Sequence, residues 1–239
     1  MTGWLMRLTL IVAALLTLSS AVFAQIKESG ELNLFGGVSA YTKNLYEIGF
    51  PQSPTPIPGR FRLDTGLRAG LRFNVYTRGH WGEEFLYSYE PNSAQFVLQR
   101  TPSNPLKLDI QVHNVAVNTL YYLQEQETQR IRPFLTVGLG ASIFRPTSYS
   151  QSVAIDPLRG NAQDLGTATE LALNYGLGFK TRLSSWIGFR MDARGFVSRN
   201  PSFGLARQSS DPNATVFPAT GAMHHGEATG GLIFYFSKR

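Results

Sequence analysis

Four histidines, His80, His113, His224 and His225, are the side chains best suited to acid–base or metal chemistry in this chain of 239 residues, which contains no cysteine. Without thiols there is no nucleophilic Cys, no thiolate zinc site, no disulfide framework and no lipid-modified Cys behind a leader. No G-x-S-x-G elbow and no H-E-x-x-H pair occurs. A triad assembled by folding from Asp109, His113 and a loop serine stays open, because catalytic residues need not adjoin in sequence. The plainer alternative makes His113 an ordinary lumen or rim residue. His224 and His225 point apart in an extended chain, which makes two ligands to one ion awkward. Gly176-Leu177-Gly178 lacks the third glycine and the following helix of a dinucleotide fingerprint. These residues define no catalytic centre, no cofactor and no metal site, and a protein that is not an enzyme is expected.

The charged residues say more, through the elements that must carry them. From Leu171 to Leu183, every second residue is Leu171, Leu173, Tyr175, Leu177, Phe179, Thr181 or Leu183. Between them lie Glu170, Ala172, Asn174, Gly176, Gly178, Lys180 and Arg182. The pattern resumes after Ser184-Ser185-Trp186, with Ile187, Phe189, Met191, Ala193 and Val197 on one side and Gly188, Arg190, Asp192 and Arg194 on the other. Ordinary strands average about five or six residues. These are long enough to cross a bilayer at a tilt, which takes roughly 9 to 11.

Eight segments read as strands: Glu31 to Thr42, Asp64 to Arg78, Glu83 to Tyr89, Leu106 to Leu123, Pro133 to Phe144, Glu170 to Leu183, Ile187 to Ser198 and Glu227 to Ser237. Long Pro- and Gly-bearing connections follow the odd-numbered strands and short ones the even-numbered, as in an up-and-down meander with all long loops at one end. A ten-strand version would recruit Gln95 to Leu98 and part of Ala154 to Thr169. Two segments fit less cleanly. The parity that turns Leu108, Ile110 and Val112 outward also turns Asn114 and Asn118 outward, so a bulge or a stretch above the membrane is expected near His113 and Asn114. The third strand is short unless it continues through Pro91.

Residues 1–24 read as a cleavable secretory signal, with Arg7, an apolar run from Leu8 to Leu18 and a small-residue end at Ala24. Residues 25–239 then form one domain. No apolar run reaches the roughly 18 residues of a membrane helix, so insertion would have to use strands. The net charge of +6 is dispersed among the strands without a basic run, which argues against nucleic-acid binding.

Alternation alone does not say which face meets lipid. Three features turn the apolar face outward. Glycines such as Gly66, Gly70, Gly138, Gly140, Gly176, Gly178 and Gly188 share the charged face, where a narrow lumen needs room. Aromatics collect at the short-turn end: Tyr76, Trp81, Tyr121, Tyr122, Trp186, Phe234, Tyr235 and Phe236 read as an interfacial girdle. Arg68, Arg72, Lys180, Arg182, Arg190 and Arg194 occupy the polar parity, with Glu84, Asp109, Glu170, Asp192 and Glu227 as partners, which defines an expected lumen charge network. A hairpin turning at Ser184-Ser185 sets Lys180 about opposite Arg190, with Asp192 diagonally placed to offset their repulsion.

With its hairpin Leu171 to Val197, the segment Phe134 to Phe144 and the closing run Gly230-Gly231-Leu232-Ile233-Phe234-Tyr235-Phe236, the chain resembles the small Gram-negative outer-membrane β-barrel superfamily, of the eight-stranded OmpA-like type. The resemblance covers Glu31 to Phe236. It implies an all-β antiparallel transmembrane barrel in the outer membrane, a structural or envelope role, and surface binding through long loops to a ligand that is not identified. Its implied partners are outer-membrane lipid, lipopolysaccharide and the barrel-insertion machinery. No peptidoglycan-binding domain follows, so no wall-tethering role is implied. Members of the family usually end on an aromatic, whereas Ser237, Lys238 and Arg239 follow Phe236 here. A lipid A deacylase of similar type carries a His-x-Ser pair, and none of the four histidines has Ser two positions on. The alternative readings are an outer-membrane lipid-modifying enzyme and a soluble secreted ligand-binding barrel. The loop apolar residues Phe50, Phe61, Phe203, Phe217 and Met223 either offer a ligand-binding edge or, the favoured reading, pack over the barrel mouth.

Overall fold

The computed structural model describes residues 30–42, 44–48, 57–98, 106–124, 130–155, 165–204, 207, 210 and 221–236. The signal segment 1–24 and the loop residues Phe50, Pro51, Pro54, Pro56 and Phe217 lie outside the described residues. Within them, the strands are β1 (Gly30–Tyr41), β2 (Asn44–Ile48), β3 (Ile57–Leu63), β4 (Gly66–Arg78), β5 (Trp81–Leu98), β6 (Leu106–Tyr122), β7 (Ile131–Pro146), β8 (Ala168–Arg182), β9 (Ile187–Arg199) and β10 (Ala222–Tyr235), with a helix α1 (Ser148–Ile155) between β7 and β8.

Eight of these strands close on themselves. The ring runs β1, β4, β5, β6, β7, β8, β9, β10 and back to β1, antiparallel at every step. Closure removes free edges, so the sheet offers no unpaired backbone to lipid. The two remaining strands, β2 and β3, form a hairpin within the first long connection. Residues 148–155 are helical, and among the described residues between β7 and β8 no further barrel strand occurs.

β3 docks on the far half of β5, which explains how β5 runs on through Pro91. β4 pairs with β5 as far as Ala69↔Tyr89, and β3 takes over at Leu63↔Ala94. Pro91 falls in the interval where β5 has no ladder partner on that edge, so the missing N–H is tolerated. The Asn92 side chain bridges the gap by accepting from the Asp64 N–H at 3.0 Å. Short turns join the strands at the opposite end. Gly79 supplies the positive φ of 55° between β4 and β5, and Ser184 Oγ accepts from the Ile187 N–H at 3.1 Å between β8 and β9.

The ladder of β6 is unbroken from Tyr121 to Ile110 on both sides. Leu108, Ile110 and Val112 point inward, in phase with Asn114 and Asn118. The expected outward placement of the three apolar residues is therefore corrected, and no bulge is needed. What changes near His113 is the polarity of the two faces. Below it the wall is apolar outside, with Val117 exposed, and Asn114 and Asn118 turn inward together with Ala116, Leu120 and Tyr122. Above it Leu108, Ile110 and Val112 are buried, while Lys107 and Asp109 are exposed.

The inversion is general at the long-loop end. Leu63, Ala94, Leu108, Ile110, Val112, Phe144, Leu165, Ala168, Phe203 and Met223 form one buried apolar cluster inside the barrel mouth. Loop residues Leu165 and Phe203 close it from above, joined by a Gly166 N–H to Phe203 carbonyl bond of 2.7 Å. An apolar interior with a polar exterior is what water outside demands, whereas apolar side chains outside and charges inside suit hydrocarbon. The barrel therefore has a membrane storey and a solvent storey.

Candidate functional site

The lumen of the membrane storey holds the densest concentration of charge. Alternation delivers Arg68 and Arg72 from β4, Glu84 and Glu90 from β5, Arg190, Asp192 and Arg194 from β9, and Glu227 from β10 to one interior space, each at most 5% exposed. They form one continuous network. Glu90 meets Arg68 at 2.6 Å, and Arg68 meets Glu227 at 2.8 Å. Arg72 connects Glu227, at 3.7 Å, with Asp192, at 3.2 Å. Asp192 also contacts Arg190 at 2.9 Å and Arg194 at 3.2 Å, and both arginines reach Glu84 at 2.8 Å.

β5 and β9 lie four places apart in the eight-strand ring, so the Glu84 contacts with Arg190 and Arg194 cross the full diameter. Amides extend the brace sideways: Asn118 donates to Glu84 at 2.8 Å, and Asn174 donates to Asn118 at 2.7 Å. Inward glycines make the space. A methyl group at Gly176 would lie 2.8 Å from Arg194 Cγ, and one at Gly178 would lie 2.6 Å from the Phe134 ring. Four guanidinium groups face four carboxylates here, so the network is balanced without an added ion.

The short-turn end is sealed differently. Lys180 sits opposite Arg190 in the β8–β9 ladder, and its ammonium pairs with Glu31 at 2.6 Å. Arg132 lies over the rings of Tyr122 and Tyr76, 4.2 and 4.8 Å from their centroids, and donates to the Tyr76 hydroxyl at 2.6 Å. Tyr122 and Phe134 are each 1% exposed. Tyr76, Tyr122 and Tyr235 thus face inward and do not belong to an outer girdle. Trp81, Tyr121, Trp186 and Phe236 are outward and exposed, and Phe234 shares their outward parity.

Toward the loops, His225 is stacked between Phe196, 4.6 Å away, and Tyr41, 4.9 Å away, with its Nε2 near Asn114 at 3.4 Å. This layer borders the charged lumen: the Tyr41 hydroxyl donates to Glu90 at 3.0 Å and accepts from Arg68 at 2.9 Å. Its neighbour His224 points outward and is exposed.

The remaining sequence-derived candidates fall elsewhere. Asp109 is outward and exposed, because β6 keeps its parity, and so lies outside the lumen. Glu170 has inward parity but pairs at the rim with the loop residue Arg207 at 3.1 Å. Arg182 reaches the exposed short-turn mouth, 4.2 Å from the Tyr235 ring. His113 is outward and bonds Tyr87 at 3.0 Å, four residues along the strand from Asp109. Phe203 and Met223 pack down into the mouth. Among the described residues, no group of three or more His, Asp or Glu side chains could hold a metal ion.

Sequence reasoning missed Glu31, Glu90 and Arg132. Glu31 and Asn33 continue the inward parity of β1, and Glu90 that of β5, so their signal was present. Ending the third strand at Tyr89 hid Glu90.

No family model and no curated protein sequence matches the chain. Among solved structures, the chain is similar to the outer membrane protein OprG from Pseudomonas aeruginosa, with a TM-score of 0.59 and 14% identity over 90% of this chain and 100% of that one. It also matches AlkL, an outer membrane protein solved in lipid bilayers, with a TM-score of 0.49 and 12% identity over 86% and 90% of the two chains. Neisserial surface protein A matches with a TM-score of 0.48 and 11% identity over 88% and 98%. The closed eight-strand ring, its exposed apolar wall and the OprG superposition lead to one conclusion: the chain has the fold of the small eight-stranded outer-membrane β-barrels.

Proposed function

We propose that the protein is an integral outer-membrane barrel with a structural, envelope-maintaining role, presenting a rigid surface platform for binding outside the cell. The observation that carries this reading is the reversal of polarity along one continuous barrel wall. Leu67, Leu135, Leu139, Leu171 and Leu177 are 50% or more exposed on the membrane storey, while the arginines behind them are buried. A soluble barrel would leave that apolar belt in water.

The structural role is supported by the lumen, which is braced across its diameter by ion pairs and filled by side chains instead of open to water. Surface binding is supported by the solvent storey, where a packed apolar mouth and the β2–β3 hairpin give the loops a firm base. Outer-leaflet lipid, including lipopolysaccharide, would meet the outward Tyr87, Tyr89, His113 and Arg145. The insertion machinery would meet the exposed Phe236 at the end of the closing strand.

Membrane fractionation followed by electrophoresis with and without boiling tests the reading. The protein should enter the membrane fraction and change mobility when unheated. Recovery in the aqueous fraction without detergent would overturn it in favour of a soluble barrel.

A further inference from the structure

One outward position at membrane depth carries a carboxylate. Glu84 is buried in the lumen, so its neighbour Glu83 faces lipid, between Trp81 and Phe85, which are 52% and 45% exposed. Across the ladders it stands opposite Val75 on β4 and Thr119 on β6. Thr119 Oγ1 lies 3.2 Å from both carboxylate oxygens and donates to them. The buried lumen carboxylates Glu31, Glu84, Glu90, Asp192 and Glu227 each touch a guanidinium or ammonium group. Glu83 makes no ion pair with any residue whose side chain is described.

An ionisable group on a lipid-facing wall has a cost that falls toward the interface, and it persists there where a partner is at hand. Glu83 is the second outward position of β5 from the short turn, about 7 Å along the strand from Trp81. The Trp81 and Tyr121 rings meet edge to face at 4.9 Å, both exposed, at the level where interfacial aromatics sit beside lipid headgroups. A carboxylate with exposed aromatic faces beside it is the combination that recognises an alkylammonium. The charge that a bilayer can bring to this depth from outside the protein is carried by its headgroups.

We propose that Glu83, with Trp81 and Tyr121, forms a site for the ammonium headgroup of an inner-leaflet aminophospholipid of the phosphatidylethanolamine type. This rests on the outer-membrane reading above. The carboxylate neutralises the ammonium, the rings cover its methylene side, and the lipid phosphate stays toward water. An anionic glycerol headgroup offers no cation and is repelled. Such a site holds the end of the β4–β5 hairpin at a defined depth.

The test reconstitutes the full chain in nanodiscs of equimolar phosphatidylethanolamine and phosphatidylglycerol, extracts it mildly and counts retained lipids by native mass spectrometry. Wild type should retain phosphatidylethanolamine over phosphatidylglycerol by about fivefold, the scale of one exposed ammonium–aromatic contact. Glu83→Gln should bring that ratio to about one, and Trp81→Leu should lower it, while both keep the unheated gel mobility of the folded barrel. An unchanged ratio in Glu83→Gln overturns the headgroup site, as does an absence of preference in wild type. Failure of wild type to enter the discs is a separate result, which overturns the membrane reading itself.

Discussion

Asp192 shows how much of this barrel's order can hang on one side chain. It contacts Arg72, Arg190 and Arg194, so its loss would leave three buried guanidinium groups short of a counter-charge. Removing one partner of a buried pair costs about 3–5 kcal/mol, more than the pair itself contributes, because the survivors stay desolvated. Asp192→Asn should therefore lower unfolding stability by about that amount in urea titrations of the protein in lipid vesicles. Asp192→Lys should cost more and should raise single-channel conductance if the cross-brace is what fills the lumen. At the mouth, Phe144 is fully buried in the apolar cluster, and Phe144→Ala should cost about 3–5 kcal/mol in the same titration. Parity in the sequence was enough to nominate Asp192 and its arginines. It did not identify Glu31 as the counter-ion of Lys180, because the pairing joins β1 to β8, 149 residues apart.

Individual strands carry the second kind of information, which is where each one leaves the membrane. β6 keeps one register throughout and changes the chemistry of both faces at His113 and Asn114. Arginine substitution should report this boundary directly. Val117→Arg, at an outward position on the membrane side, should destabilise by about 2–4 kcal/mol if it lies near the midplane, whereas Gln111→Arg, outward on the solvent side, should be close to neutral. Equal costs at the two positions, read from urea midpoints, would place the boundary elsewhere. Periodicity located the strand and the point of change, but reading the apolar run Leu108, Ile110 and Val112 as lipid-facing gave the wrong phase. An apolar residue satisfies either environment, and the partners that bury these three come from β5, β7 and the distant loop residues Leu165 and Phe203.

For the molecule as a whole, the two-storey arrangement separates anchoring from display. Spin labels at Leu71, Leu173 and Phe189 should be quenched by lipid-borne agents, while a label at Asp109 should respond to water-soluble ones. The closed lumen implies that wild type shows no open-pore conductance in planar bilayers. Sustained large openings would mean that the ion network rearranges. Closure into eight strands was foreshadowed by the alternation of long and short connections. The β2–β3 hairpin was not, because its first long connection reads from composition as a Pro-rich loop, and docking on β5 is what holds it extended.

By itself the sequence determined that eight strands form the wall, the parity of β4, β8 and β9 and the end that carries the loops, because side chains alternate with a period of two whatever the neighbours are. Only the tertiary structure decided which carboxylate meets which cation, which aromatics turn inward to seal the barrel and where its interior becomes apolar. Those outcomes depend on ring closure, which brings strands far apart in sequence to opposite sides of one narrow space.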